Sequence, residues 1–420
     1  MNRFNFLHNK LIKETLWSFA TKSVTFILFF ALNIYIARML GVEKFGLWSF
    51  FFSFFTVVFL FSNFGINAST RKYVAQYNNT DKLKNVLGSS FKLRIFFSFI
   101  FSLALFISST LLSNLIGHPE FKILFQYSAP LIFLSTVIEY LKSVFMGLHR
   151  IKYNFIINIL EYGLKLLFVI ILFQFSISLL NIINAYILAT FLAVFICLSI
   201  LYFQFYVKGK NSNSGDFMIN IFKYSIPLLF TSIGAIIALE VDIIMLGLLS
   251  SNYEVGIYAV AKSIPTKIPH ISLALAMGTM PIFAKINDEN KNELKKKFLN
   301  ILKINAGIIL IIVCIILIFS NILIPLIYGA NYSSSVIPLQ ILTIFLISRS
   351  FLIFLNFFLD YQGLAKKRLY NSLLAMALNI ILNLLLIPKY GAIGASIATS
   401  IAYTPYVILN WLEVRKILNK

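Results

Sequence analysis

Nine ionisable residues stand inside stretches of this sequence that are otherwise apolar. An ionisable side chain at the centre of a lipid bilayer costs about 2.5–3.5 kcal/mol, so such residues usually mark a path for a substrate or an ion. Bases outnumber acids among the nine, and ammonium and guanidinium groups bind phosphate and carboxylate oxygens well. These residue types therefore favour the binding of an anionic group within a membrane. The bases are Lys22, Lys165, Lys262, Lys267 and Arg349, and the acids are Glu139, Glu161, Glu240 and Asp242.

The sharpest cases are Lys267 and Arg349, because neither has an acid three or four positions away. Two prolines four residues apart, Pro265 and Pro269, flank Lys267, and such a pair frees backbone carbonyls and bends a helix. At membrane depth a bend of this kind is tolerated mainly where it faces protein or a wet cavity. We therefore predict a cationic substrate-binding cavity. Its predicted residues are Lys22, Lys262, Lys267, Arg349 and His270. For Lys22 there is an alternative, in which its long side chain extends to the membrane interface.

The four acids have different predicted roles. Glu161 and Lys165 are spaced i, i+4, which predicts a self-neutralising structural pair on one helix face. Glu240 and Asp242 point about 200° apart on a helix and so cannot share a metal ion. We predict that one of them faces the bases near residue 265 and tunes their charge or takes a proton, and the sequence leaves open which one. Glu139 is a further candidate for ion coupling.

Motifs of enzymes are missing from the sequence. It has no phosphate-binding G-x-x-x-x-G-K-[ST], no H-E-x-x-H, no C-x-x-C and no G-x-S-x-G. Both cysteines, Cys197 and Cys314, lie in apolar runs, where a packing role is expected. We therefore predict a protein that is not an enzyme, with no catalytic residue, no metal and no cofactor.

The elements that must position these residues are membrane-spanning helices. The 420 residues are 59% hydrophobic and 12% charged, with a mean hydropathy of +0.87, whereas a soluble protein would have about a quarter of its residues charged. Apolar runs of about 20 residues, long enough to cross ~30 Å of hydrocarbon, predict an all-α integral membrane protein of about twelve transmembrane helices. The predicted spans are roughly 15–37, 46–66, 95–116, 123–146, 154–175, 180–206, 224–249, 257–283, 301–327, 337–359, 369–387 and 392–412.

The formal net charge of +21 is explained by the orientation of these spans. Of the 36 Lys and Arg residues, 27 fall on the side that holds both termini and only 4 on the opposite side. This asymmetry predicts that both termini are cytoplasmic, and it removes the need for nucleic acid as a partner.

Two sequence patterns recur at almost the same interval. Phe45-Gly46-Leu47-Trp48 resembles Val255-Gly256-Ile257-Tyr258, 210 residues later, and the loop that begins Gly147-Leu148 resembles the one that begins Gly363-Leu364. The interval predicts two six-helix lobes in the same orientation, related by a pseudo-two-fold axis along the membrane normal, with the substrate between them. The predicted lobes are residues 1–210, with helices 1–6, and 211–420, with helices 7–12.

Three segments resemble signatures of one known family. They are R-x-L-G-x-x-x-F-G at Arg38–Gly46, the seventh and eighth helices from Pro227 to Met245 and from Val255 to Ala261, and the last loop and helix at Ile387–Thr399. In order and spacing, the chain resembles the Wzx-type O-antigen flippases of the multidrug/oligosaccharidyl-lipid/polysaccharide exporter superfamily.

This resemblance implies a multi-pass protein of the bacterial inner membrane. It would move undecaprenyl-pyrophosphate-linked repeat units from the cytoplasmic to the periplasmic leaflet by alternating access, with H⁺ or Na⁺ as coupling ion and other polysaccharide-assembly membrane proteins as partners. The family's cationic cavity corresponds by helix position to Lys22, Lys262, Lys267 and Arg349, and its acidic position in helix seven corresponds to Asp242.

Two alternatives remain open at this point. An ion-coupled drug exporter of the same superfamily is one, although five internal bases against four acids disfavour a cationic substrate. A membrane polysaccharide polymerase or transferase is the other, and the absence of a long outer loop in the predicted topology disfavours it.

Overall fold

A computed structural model describes residues 2–204, 215–279 and 291–419, and all regular structure in those ranges is helical. Helices are expected because lipid offers no partners to backbone N–H and C=O groups, which must bond within the segment. The helices are α1 (Asn2–Asn63), α2 (Ile66–Tyr77), α3 (Leu83–Ile116), α4 (Phe121–Gly147), α5 (Ile151–Phe175), α6 (Leu179–Gln204), α7 (Gly215–Leu249), α8 (Asn252–Lys267), α9 (Pro269–Thr279), α10 (Lys291–Tyr328), α11 (Val336–Tyr361) and α12 (Ala365–Leu418), with a 3₁₀ helix at Ala330–Ser335.

Two of these helices are too long for a single crossing. The apolar part of α1 has 48 residues and α12 has 54, which at ~1.5 Å per residue reach roughly 70 and 80 Å against ~30 Å of hydrocarbon. Each is interrupted by a glycine with positive φ, Gly41 (φ 73°) and Gly391 (φ 50°), a conformation that other residues rarely adopt. Each helix therefore supplies two of the predicted spans, separated at these glycines.

Within the described ranges, eight helical stretches are long and apolar enough to cross a membrane. Two of them are the double-length helices α1 and α12, and the region predicted to hold spans seven and eight is occupied by α7, α8 and α9. At the two prolines the structure shows an interruption at Ile268, between Lys267, where α8 ends, and Pro269, where α9 begins. The prediction of an all-α, multi-pass membrane protein is confirmed.

The chain forms two compact units. The first contains residues 1–40 and 51–237, and its core is formed by apolar side chains of α2, α3, α4 and α6. The second contains residues 41–50 and 238–420, and a main apolar cluster packs α11 against α10 and the end of α12. The predicted boundary between Lys210 and Asn211 lies outside the described residues and stays a prediction.

The two helices that precede the repeated loops end in the same backbone geometry. After α4, the Arg150 amide donates to the Phe145 carbonyl at 2.9 Å, and after α11 the Leu364 amide donates to the Leu359 carbonyl at 2.8 Å. In both turns the preceding residue, His149 or Gly363, has a positive φ and donates to a carbonyl three residues earlier. Both are Schellman-type endings, and α3 ends in the same way at Gly117 and His118, so this geometry is not specific to the repeated loops.

The two glycines of the other repeated pattern are packed against each other within the second unit. A Cβ atom on Gly46 would lie 1.7 Å from the Asn252 carbonyl oxygen, and one on Gly256 would lie 2.2 Å from the Val42 carbonyl oxygen. Each glycine thus faces the carbonyl four residues before the other, a reciprocal contact that indicates local two-fold symmetry. Only a residue without a side chain permits this approach of two helix backbones.

Candidate functional site

A buried carboxylate in the second unit collects four hydrogen-bond donors. Asp242, on α7, is 1% exposed. Its Oδ2 accepts from the Tyr258 hydroxyl at 2.8 Å, the Thr399 hydroxyl at 3.0 Å and the Lys262 ammonium at 3.3 Å, and its Oδ1 accepts from the Asn383 amide at 3.0 Å. We call these five residues the Asp242 cluster. A buried charge needs both a counter-charge and hydrogen bonds, and Asp242 has both.

Helical spacing accounts for this cluster. Tyr258 and Lys262 are four residues apart on α8, so both side chains lie on the face directed at Asp242. Asn379 and Asn383 are likewise four apart on α12, and the Asn383 amide also donates to the Asn379 side-chain oxygen at 3.1 Å. The second half of α12, beyond the break at Gly391, contributes Thr399. One acid is thus held by three separate helical segments besides its own.

The contact between Asp242 and Lys262 joins two residues that the sequence analysis placed in different groups. Lys262 is 6% exposed, and its ammonium also donates to the Leu239 carbonyl. Because Lys262 is matched with a carboxylate and a carbonyl, it adds no net charge to this part of the unit. Asp242 is thus hydrogen-bonded to one base of α8, and Glu240 interacts electrostatically with Lys267, another base of the same helix.

Arg349 has different surroundings from Lys262. It lies on α11, is partly buried, and its guanidinium carbon is 5.7 Å from the centre of the Phe345 ring. Among the residues that the structure describes, its guanidinium forms no hydrogen bond and no ion pair. A guanidinium offers five N–H donors in a planar fork, so this group is available to a planar or tetrahedral oxyanion.

The other predicted cavity residues are only partly gathered. Lys267 interacts electrostatically with both Arg349 and Glu240, so two bases and one acid share this region of the second unit. His270 is exposed on α9, and Lys22 is exposed on α1 in the first unit. The structure therefore brings together Lys267, Arg349 and Glu240 of the predicted set.

The first unit contains a chain of four alternating charges. The Lys142 ammonium lies 2.8 Å from Glu139 and 2.8 Å from Glu161, and Glu161 lies 2.6 Å from the Lys165 ammonium. The side-chain exposure falls from 38% at Glu139 to 12% at Lys142 and 6% at Glu161. The Glu161–Lys165 pair is thus one end of a network between α4 and α5 that has no net charge.

Several of these residues escaped the sequence analysis. Lys142 and Arg94 are among the 27 bases that the sequence analysis placed on the side of the termini, whereas the structure places Lys142 between two carboxylates and Arg94 fully buried in α3. A signal existed for some of them, namely polar pairs at i, i+3 or i, i+4 inside apolar runs, as in Glu139 with Lys142 and Tyr258 with Lys262. In the described residues, no group of three His, Cys, Asp or Glu side chains could hold a metal ion.

A multi-pass helical fold in two lobes, with interrupted helices and buried ionic clusters, is typical of a membrane transporter. The family model described as "Polysaccharide biosynthesis protein" matches residues 11–287, and the model described as MatE matches residues 227–385. The chain belongs to the polysaccharide biosynthesis protein family. The resemblance inferred from its sequence signatures is thereby confirmed, and these matches point to transport rather than catalysis.

Individual relatives agree with this assignment. An uncharacterized membrane protein of Methanocaldococcus jannaschii is 26% identical over 392 residues, covering 91% of this chain and 92% of that protein. The probable low-salt glycan biosynthesis flippase Agl15 of Haloferax volcanii is 24% identical over 196 residues, covering 46% of this chain and 41% of Agl15.

Solved structures show the same fold. The inward-facing conformation of a multidrug resistance MATE family transporter of the MOP superfamily matches with a TM-score of 0.75 at 16% identity, covering 94% of each chain. A MOP superfamily transporter from Pyrococcus furiosus, described as having a binding pocket of reverse polarity, matches with a TM-score of 0.65 at 17% identity, covering 98% of this chain and 96% of that one. At these identities the likeness shows the fold alone.

Proposed function

We propose that this chain is a flippase for a lipid-linked oligosaccharide whose polyprenyl carrier ends in a phosphate or pyrophosphate. The family match and the partial likeness to a probable glycan flippase support this proposal. In its most specific form the cargo is an undecaprenyl-pyrophosphate-linked O-antigen unit. In this form of the proposal the chain lies in a bacterial inner membrane with both termini cytoplasmic. It moves the cargo to the periplasmic leaflet by alternating access.

The observation that carries this proposal is that the Arg349 guanidinium has no ion pair among the described residues. A guanidinium on a membrane-spanning helix, stacked near Phe345 and without an ion pair among the described residues, is costly unless a ligand or water satisfies it. A phosphate oxygen pair matches its fork of N–H donors. Lys267 interacts with Arg349 and adds a second positive charge. The two bases together exceed the single negative charge of Glu240. Of the other predicted cavity residues, His270 is proposed as a further, weaker contributor to this site, whereas Lys262 is neutralised by Asp242 and Lys22, in the first unit, stays a prediction.

Ion coupling is proposed at the Asp242 cluster. If a proton or a Na⁺ ion neutralised Asp242, the Lys262 ammonium would lose its counter-charge, and the contacts of α7 and α8 with α12 would rearrange. Glu240 would then tune the charge around Lys267, and Glu139, as the most exposed member of the first unit's network, is a second candidate for protonation.

The test uses the purified protein in liposomes that contain a fluorescent polyprenyl-pyrophosphate-linked sugar. Arg349→Ala should reduce the rate of translocation at least about tenfold, since a lost charge-assisted bidentate contact costs roughly 1.5–3 kcal/mol. Arg349→Lys should retain part of the rate, because the charge remains without the fork. The matched control is Arg368→Ala, which removes an arginine that is paired with Asp360 at 3.0 Å near the end of α11. Equal rates in Arg349→Ala and Arg368→Ala would contradict the proposed role of Arg349.

A drug exporter is the second candidate, favoured by the MatE match over residues 227–385. The two functions differ in the sign of the cargo's charge. Arg349→Glu should abolish binding of a pyrophosphate lipid but leave or improve binding of a cationic dye, and fluorescence titration of both ligands distinguishes them. Dye export by the unaltered protein, with no movement of the lipid-linked sugar, would establish the exporter instead.

A further inference from the structure

A second guanidinium, buried in the first unit, lacks a counter-charge. Arg94, on α3, is 0% exposed. Its Nε donates to the Thr136 carbonyl at 3.0 Å, and its Nη1 donates to the Ser62 carbonyl at 2.9 Å and the Asn63 Oδ1 at 3.4 Å. Its Nη2 is buried and has no hydrogen-bond partner among the described residues. The group thus has three neutral acceptors and a nitrogen with two unused N–H donors.

The acids around Arg94 do not neutralise it. In the part of the chain that the structure describes, no carboxylate oxygen lies within 4 Å of its guanidinium. The acid that interacts with it at longer range, Glu139, is bonded to Lys142 and belongs to the network that is already neutral. The interior of the first unit therefore retains one positive charge, and a buried charge without a partner carries a large desolvation penalty.

Helix dipoles do not offset this positive charge. The Asn63 Oδ1 accepts from both Arg94 Nη1 and the amide of Asn67 at 3.3 Å, so Arg94 meets the first turn of α2 at a shared atom. The N-cap of α2, Gly65, has no side-chain cap. The end of α1 contributes about half a negative charge and the start of α2 about half a positive one, so the two cancel and the guanidinium remains uncompensated.

We propose that Arg94 Nη2, buried and unpartnered among the described residues at the junction of α1, α3 and α4, binds a small inorganic anion of the size of chloride beside the start of α2. Backbone and guanidinium N–H groups at a helix start are the donors that bind such ions. Arg94, Ser62 and Thr136 are each 0% exposed, which excludes a lipid headgroup or a glycan phosphate. The ion completes the junction of α1, α2 and α3 and is distinct from the cargo site proposed at Arg349.

The test is the thermal unfolding midpoint of the purified full-length protein in detergent. It is measured in sodium chloride and in sodium gluconate at equal ionic strength, so that general screening is the same. Chloride should raise the midpoint by about 2 °C or more, because an ion that binds only the folded state stabilises it by mass action. Equal midpoints in the two salts would overturn the proposal and leave water as the partner of Arg94.

An isosteric variant locates the effect. Asn63→Asp places a carboxylate where an oxygen already contacts both Arg94 and the start of α2, so it should raise the midpoint in gluconate and remove the response to chloride. The matched control, Asn158→Asp on α5, adds the same charge beside the Asn154 carbonyl and should keep the chloride response. A destabilised Asn63→Asp, or one that still responds to chloride, would refute the site. In bromide-soaked crystals, an anomalous peak is expected within hydrogen-bonding distance of Arg94 Nη2.

Discussion

Replacing Lys262 by Met tests whether the Asp242 cluster depends on a true ion pair. The change removes the ammonium 3.3 Å from Asp242 and keeps an unbranched apolar side chain of similar length. Breaking a buried pair on one side costs about 3–5 kcal/mol, since the remaining charge is left without a counter-charge. Asp242 would retain donors from Tyr258, Thr399 and Asn383, so we expect a loss near the lower end, about 3 kcal/mol.

A double-mutant cycle with Asp242→Asn isolates the pairwise energy. Asparagine keeps the shape and one acceptor oxygen but removes the charge that Lys262 neutralises. We expect the double variant to be less destabilised than the sum of the single variants by about 2 kcal/mol, within the range found for residues in one network. Reversible unfolding of the purified protein in mixed micelles, followed by circular dichroism, gives all four free energies of unfolding.

The control for this cycle is Lys389→Met, which removes an exposed lysine and should change stability by no more than about 0.5 kcal/mol. If the Lys262→Met and Asp242→Asn losses add within about 0.5 kcal/mol, the two groups are not coupled. Lys262 would then have to be counted again with Arg349 as a cation available to the proposed cargo.

Two further predictions concern packing and charge. Gly46→Ala and Gly256→Ala should each destabilise the protein by several kcal/mol, because the new Cβ would lie 1.7 or 2.2 Å from a carbonyl oxygen. The control Gly163→Ala has open space around the new Cβ and should stabilise the protein by about 0.5–1 kcal/mol. Unfolding of all three variants in mixed micelles measures these changes. Lys142→Met should cost more than Lys165→Met, about 3–5 against 2–3 kcal/mol, because Lys142 contacts two carboxylates and Lys165 one. Equal losses at the two lysines would show that the network does not act as a chain.

The multi-pass helical architecture could be predicted from the sequence because each span must be apolar along its own length. The same local rule found the Glu161–Lys165 pair, whose partners are one helical turn apart. It could not find the Asp242 cluster, whose members lie at positions 242, 258, 262, 383 and 399 and meet only after folding. Sequence spacing identifies side-chain partners on the same helix but gives no information about partners on different helices.

The bases at helix ends show a second limit. The prediction placed Arg94 in a loop because it lies just before the span expected at residues 95–116, but α3 begins at Leu83 and buries Arg94 completely. A basic residue at the edge of an apolar run can thus be buried in the folded protein. Its role depends on which neighbouring atoms reach it, which composition does not reveal.

The internal charges divide into matched and unmatched groups, and this division separates structure from proposed function. Asp242 with Lys262, and the four charges of the first unit, are matched by their neighbours and need no ligand. Arg349 and Arg94 have no carboxylate partner among the described residues, yet they differ in access. Arg349 is partly exposed on a spanning helix, so a large anionic cargo can reach it and leave again. Arg94 is fully enclosed, so an anion there would exchange only when the helices open, which makes it part of the fold.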